Sequence, residues 1–275
     1  IFYRVIKMSK IRYIIIKILL HQFYGIKNIK LINCVKNMNK VYIFEDINKK
    51  VKMVLKVESE RRINSIKYQH IFSNYGISPK IIKTRTGRQY IKIYRLVIFV
   101  QEYVTSSKRK VTSTEIVGFL KYFYGKMDEI REYLPEVLTT YPLYKQGALS
   151  KWFYVVHGDL RPQNIIITRD SFSVIDFEYL SLGIRETEIL KLIIIICKYQ
   201  SNLIESLYSK FLESDVIEMH IEEAIRVLLY DLLKSNFPEK VKNNIPKNYF
   251  LEITSEREAL INFCHTYLKR KESQK

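Results

Sequence analysis

Between Ile29 and Val57, apolar and polar positions alternate in three short runs, "IKLINCV", "KVYIFE" and "VKMVLKV". Each is rich in β-branched residues, and partial period-two alternation of that kind marks half-buried strands. "KNMN" and "DINKK" separate the runs, so the pattern predicts a three-stranded antiparallel ribbon. Ahead of it, residues 1 to about 28 predict a helix or extension packed on the outside, with Gly25 as its stop. Beyond the ribbon the period changes. Ile63, Ile66, Ile71 and Phe72 recur at roughly helical spacing, which predicts a helix from Glu58 to Tyr75, ended by Gly76 and Pro79. "RQYIKIY" and "LVIFVQEYV" then add two strands, giving five strands and one helix before about residue 103. So small a sheet needs a further surface to cover it.

The pattern shifts again after residue 102. "TSSKRKVTSTE" is a polar connector in which Thr112, Ser113 and Thr114 are candidate N-caps for a helix from about Glu115 to Tyr124. The remainder of the chain is mostly helical: "ETEILKLIIIICKY" predicts a buried helix, and two more are expected from about Ser214 to Ser235 and Ser255 to Arg270. One strand-like stretch, "FYVVHGDLRPQNIIITRDSFSVIDFEYL", interrupts them. The expected fold class is therefore α+β, with an antiparallel-sheet part over 1–102, including the extension 1–28, and a mainly helical part over 103–275.

Composition bounds this picture without changing it. The 275 residues, 47% hydrophobic and 27% charged with few glycines and prolines, suit a globular chain and exclude a disordered or fibrous one. Three scattered cysteines, Cys34, Cys197 and Cys264, form neither a disulfide framework nor a metal pattern. "IRYIIIKILL" and "LKLIIIICKY" fall short of the ~20 apolar residues of a membrane span, and no signal-peptide cleavage pattern follows the first. A soluble, cytoplasmic protein is expected, with Met8 a candidate for the natural first residue. A basic, apolar beginning also suits an anionic membrane surface. The formal charge of +18 has two explanations: attraction to nucleic acid, an anionic surface or a phosphate-bearing substrate, or lysines scattered by a composition bias. His21, His70, His220 and His265 lack ligand-like spacing, and the 21 tyrosines do not interleave with basic residues as in a nucleic-acid module.

The chemistry concentrates between Trp152 and Tyr179. "HGDLRPQN" reads as a loop, and "IIIT", the turn "RD" and "FSVID" as a hairpin that returns Asp176 towards it. Phosphoryl transfer calls for such residues: a carboxylate to orient an acceptor hydroxyl and take its proton, and an amide with a second carboxylate to hold divalent metal against triphosphate oxygens. Asp159 suits the first task, Asn164 and Asp176 the second.

"HGDLRPQN" followed by "VIDFEY" resembles the catalytic and metal-binding motifs of the aminoglycoside phosphotransferase and choline kinase superfamily, small-molecule kinases related to protein kinases. The resemblance implies a bilobal protein-kinase-like fold, ATP or GTP as donor, Mg²⁺ as cofactor, and a small-molecule hydroxyl as acceptor; the net charge weighs against a cationic acceptor and leaves an anionic one open. It implies that His157 structures the catalytic loop, that Asp159 is catalytic, that Asn164 and Asp176 ligate Mg²⁺, and that Glu178 is the glutamate usual after the metal aspartate. Earlier motifs occur in the family's order. Lys56 in "MVLKV" stands where a strand lysine contacts the α- and β-phosphates, and "VQEYV" resembles the strand entering the hinge, with Glu102 and Val104 offering backbone groups to adenine.

Tyr124 takes a histidine-like place in "EIVGFLKYFYGKM", and Glu188 resembles the acid that braces the catalytic loop, glutamate replacing the usual aspartate. Glu60 is the expected partner of Lys56, with Glu58 its competitor. The phosphate-covering loop "NCVKNMNK" departs from the pattern in having no glycine. Asn37 and Asn39 stand in for backbone freedom there, and Lys36 or Lys40 for charge. "LGIRETEILKL" comes too soon after Asp176 for a protein kinase's peptide-docking segment. Glu136, Tyr141 and Tyr144 are placed to line an acceptor site. Two other functions remain open on these residues, an atypical protein kinase and an inactive kinase-like scaffold.

Overall fold

The computed structural model of the chain describes residues 10–36, 40–131, 153–234 and 247–274. It divides into two compact units, one of Ile1–Ser107 with Ile166–Glu178, the other of Lys108–Ile165 with Tyr179–Lys275.

The first unit is built on the expected ribbon. Strands β1 (Ile29–Lys36), β2 (Lys40–Asp46) and β3 (Val51–Ser59) pair antiparallel in succession. β4 (Ile81–Ile82), β5 (Ile91–Ile93) and β6 (Leu96–Glu102) extend the sheet to the order β1-β2-β3-β6-β4, with β5 also on β6. The turn between β2 and β3 is local chemistry: Asp46 Oδ1 accepts the Asn48 and Lys49 N–H groups at 3.0 and 3.4 Å, an Asx turn.

Helices cover both faces. α1 (Lys10–Tyr24) buries Ile16 and Leu20 in a cluster with Tyr42, Phe44, Met53, Leu55 and Val100, and Gly25, at φ 72°, ends it. α2 (Ile63–Asn74) sets Ile66 against Ile81, Val97 and Phe99 on the opposite face. With both faces covered, residues 53–56 of β3 are buried in succession rather than alternately.

α2 starts later than the period suggests. Glu58 and Ser59 are still strand, paired with Val97 and Leu96 of β6. The Ser59 side chain then caps a single 3₁₀ turn, Glu60–Arg62, before the α-helix begins.

The second unit contains α3 (Ser113–Glu129), β7 (Phe153–Val156), β10 (Ser181–Ile184), α4 (Arg185–Ile196), α5 (Ser201–Glu213), α6 (Ile221–Lys234) and α7 (Lys247–Glu272). α3 is longer than expected and starts at a capping box. Thr112 Oγ1 accepts from the Glu115 N–H, and the Glu115 carboxylate accepts from the Thr112 N–H. Val117, Leu120, Phe123, Tyr124 and Met127 form its buried stripe. α4 is buried on almost every side, in keeping with "EILKLIIII".

α5 is not among the expected elements, although Ile204, Leu207, Tyr208 and Phe211 recur at helical spacing and are buried. The helix expected from Ser214 begins instead at Ile221. No described helix is long and apolar enough to cross a membrane.

The hairpin β8 (Ile165–Ile167) and β9 (Phe172–Val174) is also as the sequence predicts. Residues 166–178, however, pack with the sheet unit and not with the helical sequence around them. The Val174 N–H donates to the Ile77 carbonyl at 2.7 Å, the Ser107 N–H donates to the Ile167 carbonyl at 2.7 Å, and Phe177 stacks on Phe72 with centroids 4.6 Å apart.

Candidate active site

In the sheet unit the candidate residues gather around Lys56. The lysine is only 6% exposed, because α2 covers its face of β3. Its Nζ lies 2.7 Å from Asp176 Oδ1 and 5.9 Å from the centroid of Phe99. Burial pulls the Lys56 pKa down, but the charges of Asp176, Glu58 and Glu178 outweigh it and hold the ammonium above its ordinary value. Asp176 occupies the left-handed region at φ 65°, which an aspartate tolerates better than most residues. There the chain leaves the hairpin and enters the 3₁₀ turn Phe177–Tyr179.

Glu60 does not pair with Lys56. It forms an exposed ion pair with Lys92, and the buried carboxylate near the lysine is Glu58. Strand periodicity accounts for this. While β3 continues, residues 56 and 58 lie on one face, whereas residue 60 is past the strand. Burial raises the Glu58 pKa, and Lys56 and Arg62 work against that. Glu178 forms an ion pair with Arg62, at the end of the 3₁₀ turn. Lys56, Glu58, Arg62, Asp176 and Glu178 thus form one network of alternating charge.

At the end of β6, the Glu102 N–H donates to the Lys80 carbonyl at 2.9 Å. The carbonyl is therefore the backbone group that Glu102 could offer an adenine. Val104 comes two residues on, half-buried. Asn37 and Asn39, and with them the tip of the glycine-free loop, lie outside the described residues. So do Met8, Glu136, Tyr141 and Tyr144.

In the helical unit the loop after β7 brings His157, Asp159, Asn164 and Glu188 together. His157 is fully buried, and its Nδ1 accepts the Asp159 N–H at 3.3 Å. Asn164 Nδ2 donates to the Asp159 carbonyl at 2.9 Å and to its Oδ2 at 3.1 Å. Arg161 Nε donates to Asp159 Oδ1 at 2.5 Å, while its Nη1 lies 3.5 Å from Glu256 on α7. The carboxylate of Asp159 is thereby held through both oxygens.

Glu188, in the first turn of α4, accepts three hydrogen bonds. They come from the His157 N–H at 3.0 Å, the Gly158 N–H at 2.6 Å and the Tyr124 hydroxyl at 2.7 Å. Burial and the adjacent Glu188 charge raise the Tyr124 pKa well above its ordinary value, so the phenol stays protonated as a donor. Replacing Glu188 by alanine strands these donors, at about 1–3 kcal/mol for each one left buried and unpaired. The expected outcome is a clear drop in melting temperature, with a smaller drop for Glu188→Gln, which keeps one acceptor oxygen. Equal melting of Glu188→Ala and the parent would show that the carboxylate does not hold the loop.

Several residues of this site are missing from the set that the sequence predicts: Arg62, Gly158, Arg161, Lys191 and Glu256. Lys191 lies one turn beyond Glu188 on α4. Burial and the Arg161 charge lower its pKa, against the influence of Asp159, Glu256 and Glu188. The i, i+3 spacing of Glu188 and Lys191 is a usable signal for a shared face. Nothing local marks Glu256, which is 95 residues from Arg161 in sequence.

Among the described residues no group of three or more His, Cys, Asp or Glu could hold a metal by itself. Mg²⁺ does not require one, since it takes one or two protein oxygens and completes its shell with water and phosphate. Asn164 turns its Nδ2 to Asp159, so its Oδ1 is the acceptor that remains for a cation. The Asp176 side chain, paired with Lys56, is still 42% exposed. Both offer the hard oxygen donors that Mg²⁺ prefers.

A model of the phosphotransferase enzyme family matches residues 123–211, from within α3 through the loop and hairpin to α5. No curated protein sequence matches this one. Among solved structures, spectinomycin phosphotransferase bound to ADP and spectinomycin is 12% identical, with a TM-score of 0.62 over 91% of this chain and 96% of that one. A microcompartment-associated aminopropanol kinase is 12% identical, with a TM-score of 0.62 over 94% and 98%. An ethanolamine kinase of Plasmodium vivax is 15% identical, with a TM-score of 0.52 over 98% and 90%. At these identities the likeness is one of fold: the chain has a bilobal α+β architecture of the protein-kinase-like kind, with a sheet lobe and a helical lobe.

Proposed function

We propose that this chain is a phosphotransferase that moves the γ-phosphoryl group of ATP or GTP to a hydroxyl of a small molecule. The observation that carries this is the buried Lys56, whose Nζ lies 2.7 Å from Asp176 Oδ1 across 120 positions of sequence. A lysine on a strand is ordinarily solvated, and burying one in a network of acids costs desolvation. A cation held at that place suits the phosphates of a nucleotide, and the acid beside it suits the metal that accompanies them.

Within this assignment Lys56 draws on the α- and β-phosphate oxygens, and Glu58 and Glu178 keep it charged and in place. Glu102 and Val104 present backbone groups to the base. Asn164 and Asp176 are the residues that would hold Mg²⁺, and the ion would supply neutralisation of charge on the phosphate oxygens. Asp159 orients the acceptor hydroxyl and takes its proton as the new oxygen–phosphorus bond forms and the bond to the departing nucleoside diphosphate breaks. Glu188 keeps the loop bearing Asp159 in one conformation, so the carboxylate needs no reorganisation when it acts. A nucleoside triphosphate donor with Mg²⁺ suits a cytoplasmic setting. Only residues 177–184 separate Asp176 from α4, and they are taken up by a 3₁₀ turn and β10. This favours a small acceptor over a peptide.

Thermal denaturation tests the assignment directly. With ATP or GTP and Mg²⁺ the midpoint should rise, by an amount equivalent to roughly 2.7 kcal/mol at a hundredfold excess over Kd. The rise should be smaller without Mg²⁺, and in Asp176→Ala its Mg²⁺-dependent part should be absent. No shift with either nucleotide at millimolar concentration would overturn the proposal.

A further inference from the structure

Charge and exposed apolar surface coincide on α1. From Lys10 to Phe44 the sequence has seven lysines and arginines and no aspartate or glutamate; the first acid is Glu45. Because α1 turns Ile16 and Leu20 into the sheet, its outer face carries Ile14, Ile15 and Ile18, at 54%, 50% and 55% exposure. Lys17, His21 and Gln22 are exposed on the same face. Shortly beyond the helix, Lys27 and Lys30 are exposed too. A single exposed isoleucine needs no explanation, but three together on one helix face, without an acid nearby in sequence, mark an interaction surface.

We infer that the outer face of α1 docks on an anionic lipid surface. The isoleucines enter the boundary between headgroups and acyl chains, and the lysines meet the acidic headgroups, as in helices that lie in a membrane interface. A nucleic acid would match the charge but gains nothing from isoleucines at the centre of the contact, since its backbone is read by cations and polar groups. A second copy of the chain would match the isoleucines but, through an isologous contact, bring lysine against lysine. A lipid surface satisfies both features. The inference is independent of the proposed phosphotransferase activity.

Co-sedimentation of the full chain with vesicles tests it, using phosphatidylcholine alone and phosphatidylcholine with phosphatidylserine. Binding is expected to the serine-lipid vesicles, weakening as salt is raised. The double substitution Ile14→Asn with Ile18→Asn should lower that binding at least about tenfold. Because both side chains are exposed, its melting temperature should stay at that of the parent, which separates lost docking from lost folding. Lys17→Glu should weaken binding to the serine-lipid vesicles alone. Absence of vesicle binding would overturn the inference, as would equal binding by the double variant or equal binding to both vesicle types. So would self-association or retention of a DNA duplex in place of vesicle binding.

Discussion

Asp159→Asn should lower the turnover of phosphoryl transfer by about 10²–10⁴-fold, the usual contribution of a positioned general base, with little change in nucleotide affinity. Asparagine keeps the shape of the side chain and can still accept from Arg161 Nε through its amide oxygen, so the 2.5 Å contact survives in kind. What it loses, on the proposed role, is the negative charge that would orient the acceptor hydroxyl and the capacity to take up its proton. The parent network also holds Asp159 through Asn164 Nδ2, at 3.1 Å from Oδ2. In the variant, one amide N–H then faces another, a mild clash that the exposed side of the loop can relieve. Steady-state kinetics, with nucleotide binding measured separately, distinguishes the two effects. A fall in turnover at unchanged nucleotide affinity fits the assigned role, and full turnover in the variant would remove Asp159 from the chemistry.

Gly158→Ala should be the most damaging small substitution in the loop. Gly158 sits at φ +80°, and a Cβ added there would lie 2.1 Å from the Tyr179 carbonyl oxygen and 2.9 Å from its carbonyl carbon. Those atoms are backbone, two residues before Ser181, which pairs with Val156 in the β10–β7 ladder. Neither strand can withdraw without breaking that ladder. The left-handed backbone adds about 1–2 kcal/mol of strain for a residue with a Cβ, and overpacking typically adds about 1–3 kcal/mol more. A total of roughly 2–5 kcal/mol is a large part of a typical domain's stability. The melting temperature should therefore fall by several degrees, on the order of 2–4 °C for each kcal/mol in a chain of this size class. Activity should fall with it, since the same displacement moves Asp159. A variant with the parent's melting temperature and turnover would contradict this geometry.

The two predictions differ in how far they can be read from the amino-acid sequence. The importance of Asp159 comes from its setting in "HGDLRPQN", between a strand-like run and a hairpin-like one. That of Gly158 depends on the carbonyl of Tyr179, 21 positions away, and no local pattern announces so close an approach. Glu58 and Glu60 show the same limit on a smaller scale. Both are candidates by sequence to stand beside Lys56, and the choice turns on whether β3 ends before or after residue 58. Pairing with Leu96 and Val97 of β6 carries the strand through Ser59. Glu58 is thereby left on the face of Lys56, and Glu60 pairs with Lys92 at the surface.

Local periodicity is enough for the elements themselves. The three-stranded ribbon, α1 and its Gly25 stop, the Thr112 cap of α3 and the β8–β9 hairpin are determined by neighbours within a few residues: alternation, a side-chain cap, a left-handed glycine. α5 is within reach of the same rule, through Ile204, Leu207, Tyr208 and Phe211. Tertiary structure alone decided that residues 166–178 pack with the sheet, through Ile77, Ser107 and Phe72. It alone set Arg161 between Asp159 and Glu256, and coupled Arg62 to Glu178. These contacts join segments far apart in sequence. Hydrophobic burial and the pairing of buried charge select them only after the chain has folded back on itself, whereas the elements are specified by interactions that each stretch already carries.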